Sequence, residues 1–119
     1  YAEKNNGAFF NNQRIRVSKK NELSECLFAT GGKKYNAINQ ISTRKSGCAA
    51  LDLAYVASGR YDGFCQSNLN LWDIAAGLII IKEAGGIIND IDLNNHKNLN
   101  VIASSPNIND KFIKKISNF

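Results

Sequence analysis

The sequence predicts an α/β layered domain, a mixed sheet flanked by helices. Three observations lead there. Short apolar strand candidates alternate with helical patterns over most of its 119 residues. One stretch has strong helical periodicity: Leu71, Ile74, Ala75, Leu78, Ile79 and Lys82 fall on one face. Paired glycines, Gly31-Gly32 and Gly85-Gly86, punctuate the pattern where elements should end.

Residues 7–17 read as a hairpin, with Gly7-Ala8-Phe9-Phe10 and Ile15-Arg16-Val17 as strands and Asn11-Asn12 supplying positive φ in the turn. Cys26 to Ala29 is a further strand. Tyr35 to Thr43 is polar and reads as either a short helix or a loop. Ser46 is placed to cap a helix running through Ala57, with Gly59 as its left-handed stop. Arg60 to Gln66 is a strand candidate, and the periodic helix over 71–82 follows it. Ile87 to Ile91 and Leu99 to Ala103 are strands. Asn107 to Ile116 is a closing helix behind Pro106, with Lys111, Lys114 and Lys115 outward. The expected organisation is a hairpin over residues 1–20, the end of a preceding α+β subdomain, and an α/β subdomain over residues 21–119.

Composition narrows the function classes. The net charge is +5, with the basic residues scattered and no aromatic-basic motif beside them. That favours a solvated surface, with steering of an anionic substrate, over nucleic acid. Apolar runs are short, as in the four residues Leu78 to Ile81, against the roughly 20 that a membrane span needs. Tyr1-Ala2-Glu3-Lys4 lacks the organisation of a signal peptide. Cys26, Cys48 and Cys65 form neither CxxC spacing nor an even set, which favours reduced thiols in a cytoplasmic protein. The single His96 lies in an Asn-rich loop without a ligand-spaced partner and reads as solvated. The chain has no Met and begins at Tyr1, which leads to the expectation of a fragment.

The segment that carries chemistry is Asn70 to Gly77, continuing to Glu83-Ala84-Gly85-Gly86. Trp72 and Asp73 fall in the first helical turn, where the helix dipole favours a carboxylate and free N–H groups suit a phosphate. Ala75, Ala76 and Gly77 give that helix a thin face. The residues alone also fit a plain first-turn acid worth about 0.3–1 kcal/mol. Truncation of Trp72 is expected to act mainly through stability, costing about 3–5 kcal/mol if its ring is fully buried.

Trp72-Asp73-Ile74-Ala75-Ala76-Gly77 with Glu83-Ala84-Gly85-Gly86 resembles the C-terminal signature of the inositol monophosphatase family. The block from Gly47 to Arg60, GCAALDLAYVASGR, resembles bacterial members of that family. The opening hairpin does so too, and the resemblance covers nearly the whole chain in order. It implies the C-terminal part of a sugar-phosphatase fold and a phosphate monoester hydrolysis assisted by two or three Mg²⁺ ions. Within it, Asp73 corresponds to a ligand of the second metal. Gly47, Cys48 and Ala49 correspond to substrate contacts, with close helix packing as the equal alternative. Arg44 matches a basic position serving substrate or a subunit contact, with a solvated Arg as the alternative. Gln66 stands where many members carry a Glu that accepts from ring hydroxyls, and Gln brings a donor in place of the charge. The substrate implied is inositol monophosphate or a similar sugar-alcohol phosphate. The sister substrates are histidinol phosphate, fructose bisphosphate and 3′-phosphoadenosine nucleotides. A non-catalytic binding module that kept the fold is the reading from another class. A homodimer is left open, because Gly31 to Arg44 is shorter than the family's usual excursion. The family's acidic Asp-Pro-x-Asp-Gly motif does not occur here, so no catalytic residue beyond the metal ligand is expected and the segment alone is expected to be inactive.

Overall fold

A computed structural model describes residues 1–31, 42–92 and 94–117. Two sheets organise it. The smaller is an antiparallel meander of β1 (Ala2–Glu3), β2 (Gly7–Phe10) and β3 (Gln13–Arg14). The larger is mixed, in the order β5-β4-β6-β8-β7, built from β4 (Leu27–Gly31), β5 (Ser42–Arg44), β6 (Gly63–Leu69), β7 (Ile87–Ile88) and β8 (Leu99–Ser104). Strands β5, β4 and β6 run parallel, β8 runs antiparallel to β6, and β7 runs antiparallel to β8.

Strand periodicity separates two cores. Ala29, Phe64, Val101 and Ala103 face α1 (Ala49–Ala57) and α2 (Leu71–Glu83), packing with Leu53, Val56, Ile74 and Ile81. Their neighbours Phe28 and Cys65 face the opposite way, against Ile108, Phe112 and Ile116 of the closing segment, where α3 spans Asn109–Ser117. Phe28 and Phe112 stack with centroids 4.3 Å apart. The small sheet reaches the first core through Ala8, so α1 and α2 lie between it and the large sheet. The chain linking the sheets is strapped down: the Asn107 amide donates to the Lys19 carbonyl at 2.9 Å, and Lys20 pairs with the buried Asp62 at 3.4 Å.

Several boundaries differ from the sequence reading, each for a local reason. Asn11 and Asn12 do adopt positive φ, at 50° and 64°, but β2 pairs with Gln13–Arg14. Ile15 still donates to the Ala8 carbonyl at 2.9 Å, and Val17 then leaves to donate to Ala84 at the end of α2. The strand expected from Cys26 begins one residue later and runs on to Gly31. Cys26 instead closes a 3₁₀ turn over Leu23–Glu25. Of the ambiguous polar stretch Tyr35 to Thr43, residues 35–41 lie outside the described residues, and Ser42 and Thr43 belong to β5. The strand expected from Arg60 starts at Gly63, because the Arg60 and Tyr61 amides both turn back to the Tyr55 carbonyl. The strand expected over 87–91 pairs only at Ile87–Ile88. At Asn89 the main-chain N–H still donates to the Ile102 carbonyl at 3.0 Å, but the return bond goes to the side chain, whose carbonyl accepts from Ile102 N and whose amide donates to Asn100 O, each at 2.8 Å. No helix among the described residues is long and apolar enough to cross a membrane.

Candidate functional site

The parallel strands β4, β5 and β6 end on the same side of the large sheet, where ligands of open α/β sheets commonly bind. Beyond β5 the chain turns through Gly47, φ +81°, into α1. Beyond β6 it passes an irregularity between Gln66 and Leu69, with Asn68 at φ 62°, and enters α2 at Asn70. The starts of α1 and α2 thus open on one cleft of about 490 Å³, lined by Gly47, Cys48, Ala49, Ala50, Gln66, Leu69, Trp72 and Asp73. Two helix N-termini at one cleft make it favourable to an anion. Two grooves elsewhere, of about 460 and 340 Å³, are lined mainly by apolar side chains beside α2 and the small sheet.

Five residues singled out from the sequence therefore meet: Gly47, Cys48, Ala49, Gln66 and Asp73. Arg44 does not line this cleft. It is exposed on β5, and its guanidinium donates to the Thr43 carbonyl at 3.1 Å. Asp73 is exposed in the first turn of α2, its amide donating to the Asn70 carbonyl at 3.0 Å. Cys48 is exposed and Ala49 half-buried. A Cβ on Gly47 would meet nothing within 4 Å, so glycine serves the backbone conformation there, not close packing. Gln66 is half-buried beside its parallel partner Gly31, where a Cβ would collide with the Gln66 amide.

Trp72 corrects the sequence reading. Its side chain is 76 % exposed, so it is a wall of the cleft and not part of the core. Its ring lies 5.4 Å from that of His96, and the His96 carbonyl accepts the Leu71 amide at 2.9 Å. His96 is exposed as expected, yet packed against Trp72. Periodicity could have placed Trp72 outward, since Leu71 and Ile74 already fill the inward positions of that turn. Ala50 and Leu69 were not singled out in the sequence, and nothing in their residue types marks them.

One further network borders the cleft. The Ser46 hydroxyl donates to Oδ1 of Asp52 at 2.7 Å and accepts the Cys48 amide at 3.1 Å. Burial pushes the Asp52 carboxyl above its ordinary range, and the Ser46 hydrogen bond partly opposes this.

Among the described residues, Asp73 is the only acid lining the cleft, and no three His, Cys, Asp or Glu side chains cluster as a metal site. An exposed carboxylate at a helix start suits a hard cation as one oxygen donor, although such ions take several.

The inositol monophosphatase family model matches residues 1–119. A fructose-1,6-bisphosphatase/inositol-1-monophosphatase of Thermotoga maritima is 43% identical over 98% of this chain and 50% of that protein. A putative Nus factor SuhB of Neisseria meningitidis serogroup B is 39% identical over 98% of this chain and 51% of its own length. The crystal structure of the extragenic suppressor protein suhB from Bartonella henselae superposes with a TM-score of 0.83 at 38% identity, covering 97% of this chain and 50% of that one. The chain spans about half the length of the curated relatives it matches.

Proposed function

This chain belongs to the inositol monophosphatase family, and from that premise we propose that the complete protein is a magnesium-dependent phosphate monoester hydrolase. Its substrate is inositol monophosphate or a similar sugar-alcohol phosphate. The observation that carries this reading is the meeting of Asp73 with Gly47, Cys48, Ala49 and Gln66 in one cleft at two helix starts.

In this reading Asp73 is one oxygen ligand of a magnesium ion, and the other donors come from the half of the protein that relatives possess beyond this span. Bound Mg²⁺ would acidify a water and offset charge on the phosphoryl oxygens. This chain's residues bind and orient. The helix starts favour the phosphate dianion, and the bare backbone at Gly47 lets the sugar ring lie close. Gln66 meets a ring hydroxyl as donor or acceptor. Arg44, outside the cleft, serves a subunit contact or remains solvated. Residues 1–20 complete the preceding subdomain's sheet, and the protein is cytoplasmic, with a homodimer as its open partner.

Fructose bisphosphate is the second substrate to weigh, because the Thermotoga maritima relative carries both activities in its name. The test is initial-rate hydrolysis by the complete protein with Mg²⁺, across inositol 1-phosphate, fructose 1,6-bisphosphate, histidinol phosphate and a 3′-phosphoadenosine nucleotide. Preference for the inositol ester is expected. Strong preference for the nucleotide or histidinol phosphate would move the protein to a sister activity, and no hydrolysis would leave a binding module.

A further inference from the structure

Asp52 is 1% exposed, although it sits on the first turn of a helix whose start is open to solvent. A buried carboxylate is costly unless hydrogen-bonded. Its Oδ1 is met at 2.7 Å by the hydroxyl of Ser46, an exposed residue outside the helix. The Cys48 carbonyl, at 3.4 Å, is the poorer acceptor for that single hydroxyl proton. The hydroxyl oxygen keeps lone pairs for the Cys48 amide at 3.1 Å. Between Ser46 and Cys48 stands Gly47 in the left-handed region. A carboxylate, a hydroxyl and a glycine together fix a short exposed turn. Ordinary capping does not account for this, because the N-cap residue is Cys48, whose side chain makes no capping hydrogen bond. What the brace holds in place is the backbone wall of the cleft.

We propose that Asp52 is a positioning residue: through the Ser46 hydroxyl it sets the Gly47–Cys48–Ala49 turn against which the ring of the phosphate ester is received. The kinetic part of this inference rests on the phosphatase reading above, whereas the brace itself does not.

The test uses the complete protein and the variants Ser46→Ala, Ser46→Thr, Asp52→Ala and Ser46→Ala/Asp52→Ala. Ser46 is exposed, so its variants keep the test intact if Asp52→Ala fails to fold. Ser46→Ala and Asp52→Ala are each expected to raise KM for inositol 1-phosphate about tenfold while kcat changes less than about twofold, the mark of lost binding common to ground and transition states. The double variant should be no worse than the poorer single one, because both break the same brace. Ser46→Thr should restore KM, since it keeps the hydroxyl. Hydrogen exchange at the Cys48 amide should accelerate about tenfold in Ser46→Ala. Unchanged exchange would overturn the brace. Accelerated exchange with unchanged KM would overturn its role in receiving substrate. A wild-type protein that hydrolyses none of the esters would overturn the phosphatase reading, and the positioning role with it, while the exchange result would still decide the brace.

Discussion

The backbone N–H of Gly7 donates to Oε1 of Glu83 at 2.8 Å, joining residues 76 positions apart. This bond fastens the small sheet to the last turn of α2. Gly7 is suited to it by its φ of +89°, which turns the strand start towards the carboxylate.

The Glu83 carboxyl is held below its ordinary range, first by the Gly7 amide, then by the Asn5 and Asn6 amides and the charge of Arg14; desolvation works the other way. A depressed folded pKa means that the unfolded state binds the proton more readily. The stabilisation is therefore present above the unfolded value of about 4.3 and is lost as pH falls through the folded value. Hydrogen exchange at the Gly7 amide should lose protection in that acid window. In Glu83→Gln the same amide should show no such pH step, because the side chain no longer titrates.

Gly77 sets two effects against each other. In an exposed helix interior, Gly→Ala would gain about 1 kcal/mol of helix propensity. A Cβ at Gly77, however, would sit 2.7 Å from Leu53 Cδ1 and 2.9 Å from Leu53 Cβ. The second atom is fixed to the α1 backbone and cannot swing aside. Overpacking costs typically about 1–3 kcal/mol, so it outweighs the propensity gain. Urea unfolding of Gly77→Ala should show a lower midpoint than wild type, and a higher one would mean that α1 and α2 separate freely.

The sequence revealed most where one residue type has one physical use. The α2 period over 71–82, the Asn11-Asn12 turn and the stop at Gly59 all stand in the structure, at φ 50°, 64° and 81° for the three turn residues. Strand ends were harder to read because side chains replace main-chain bonds, as at Asn89, and no pattern of apolar residues encodes that. The strand β1 is two residues long, too short to carry any alternation. At the cleft, Asp73 and the Gly47 turn stand out from the motifs. Trp72 was misplaced because a large aromatic ring next to a helical apolar stripe looks like core. The Ser46–Asp52 brace was legible only as a capping serine, because its second partner lies six residues on and is defined by burial.

Asp73→Asn separates the two uses of a first-turn carboxylate. Asp73 is exposed and its side chain makes no hydrogen bond among the described residues, which limits its contribution to folding to its interaction with the helix dipole, about 0.3–1 kcal/mol. A lost metal ligand would be far more visible. The complete protein carrying Asp73→Asn should melt within a few degrees of wild type, while its magnesium activation midpoint rises and its turnover falls by about a hundredfold. Equal activity in the two proteins would leave Asp73 as a helix-capping acid and nothing more.

Cys48 offers a direct chemical reading of the cleft. Cys26 and Cys65 are buried, and desolvation pushes their thiols up to about 11 and about 12. A thiol raised from 9.0 to about 11 holds about a hundredfold less thiolate at neutral pH, and thiolate is the reactive form. Cys48 is exposed on the cleft wall, within reach of a reagent in solution. Of the three, Cys48 should therefore be the first modified by an aromatic disulfide reagent at pH 8, with the other two reacting only on unfolding. If the ring of the substrate rests on the Gly47–Ala49 turn, inositol 1-phosphate with Mg²⁺ should slow that modification, and inorganic phosphate with Mg²⁺ should slow it less. Equal protection by the two would place the phosphate, not the ring, against Cys48 and would reverse the proposed orientation of the ester in the cleft.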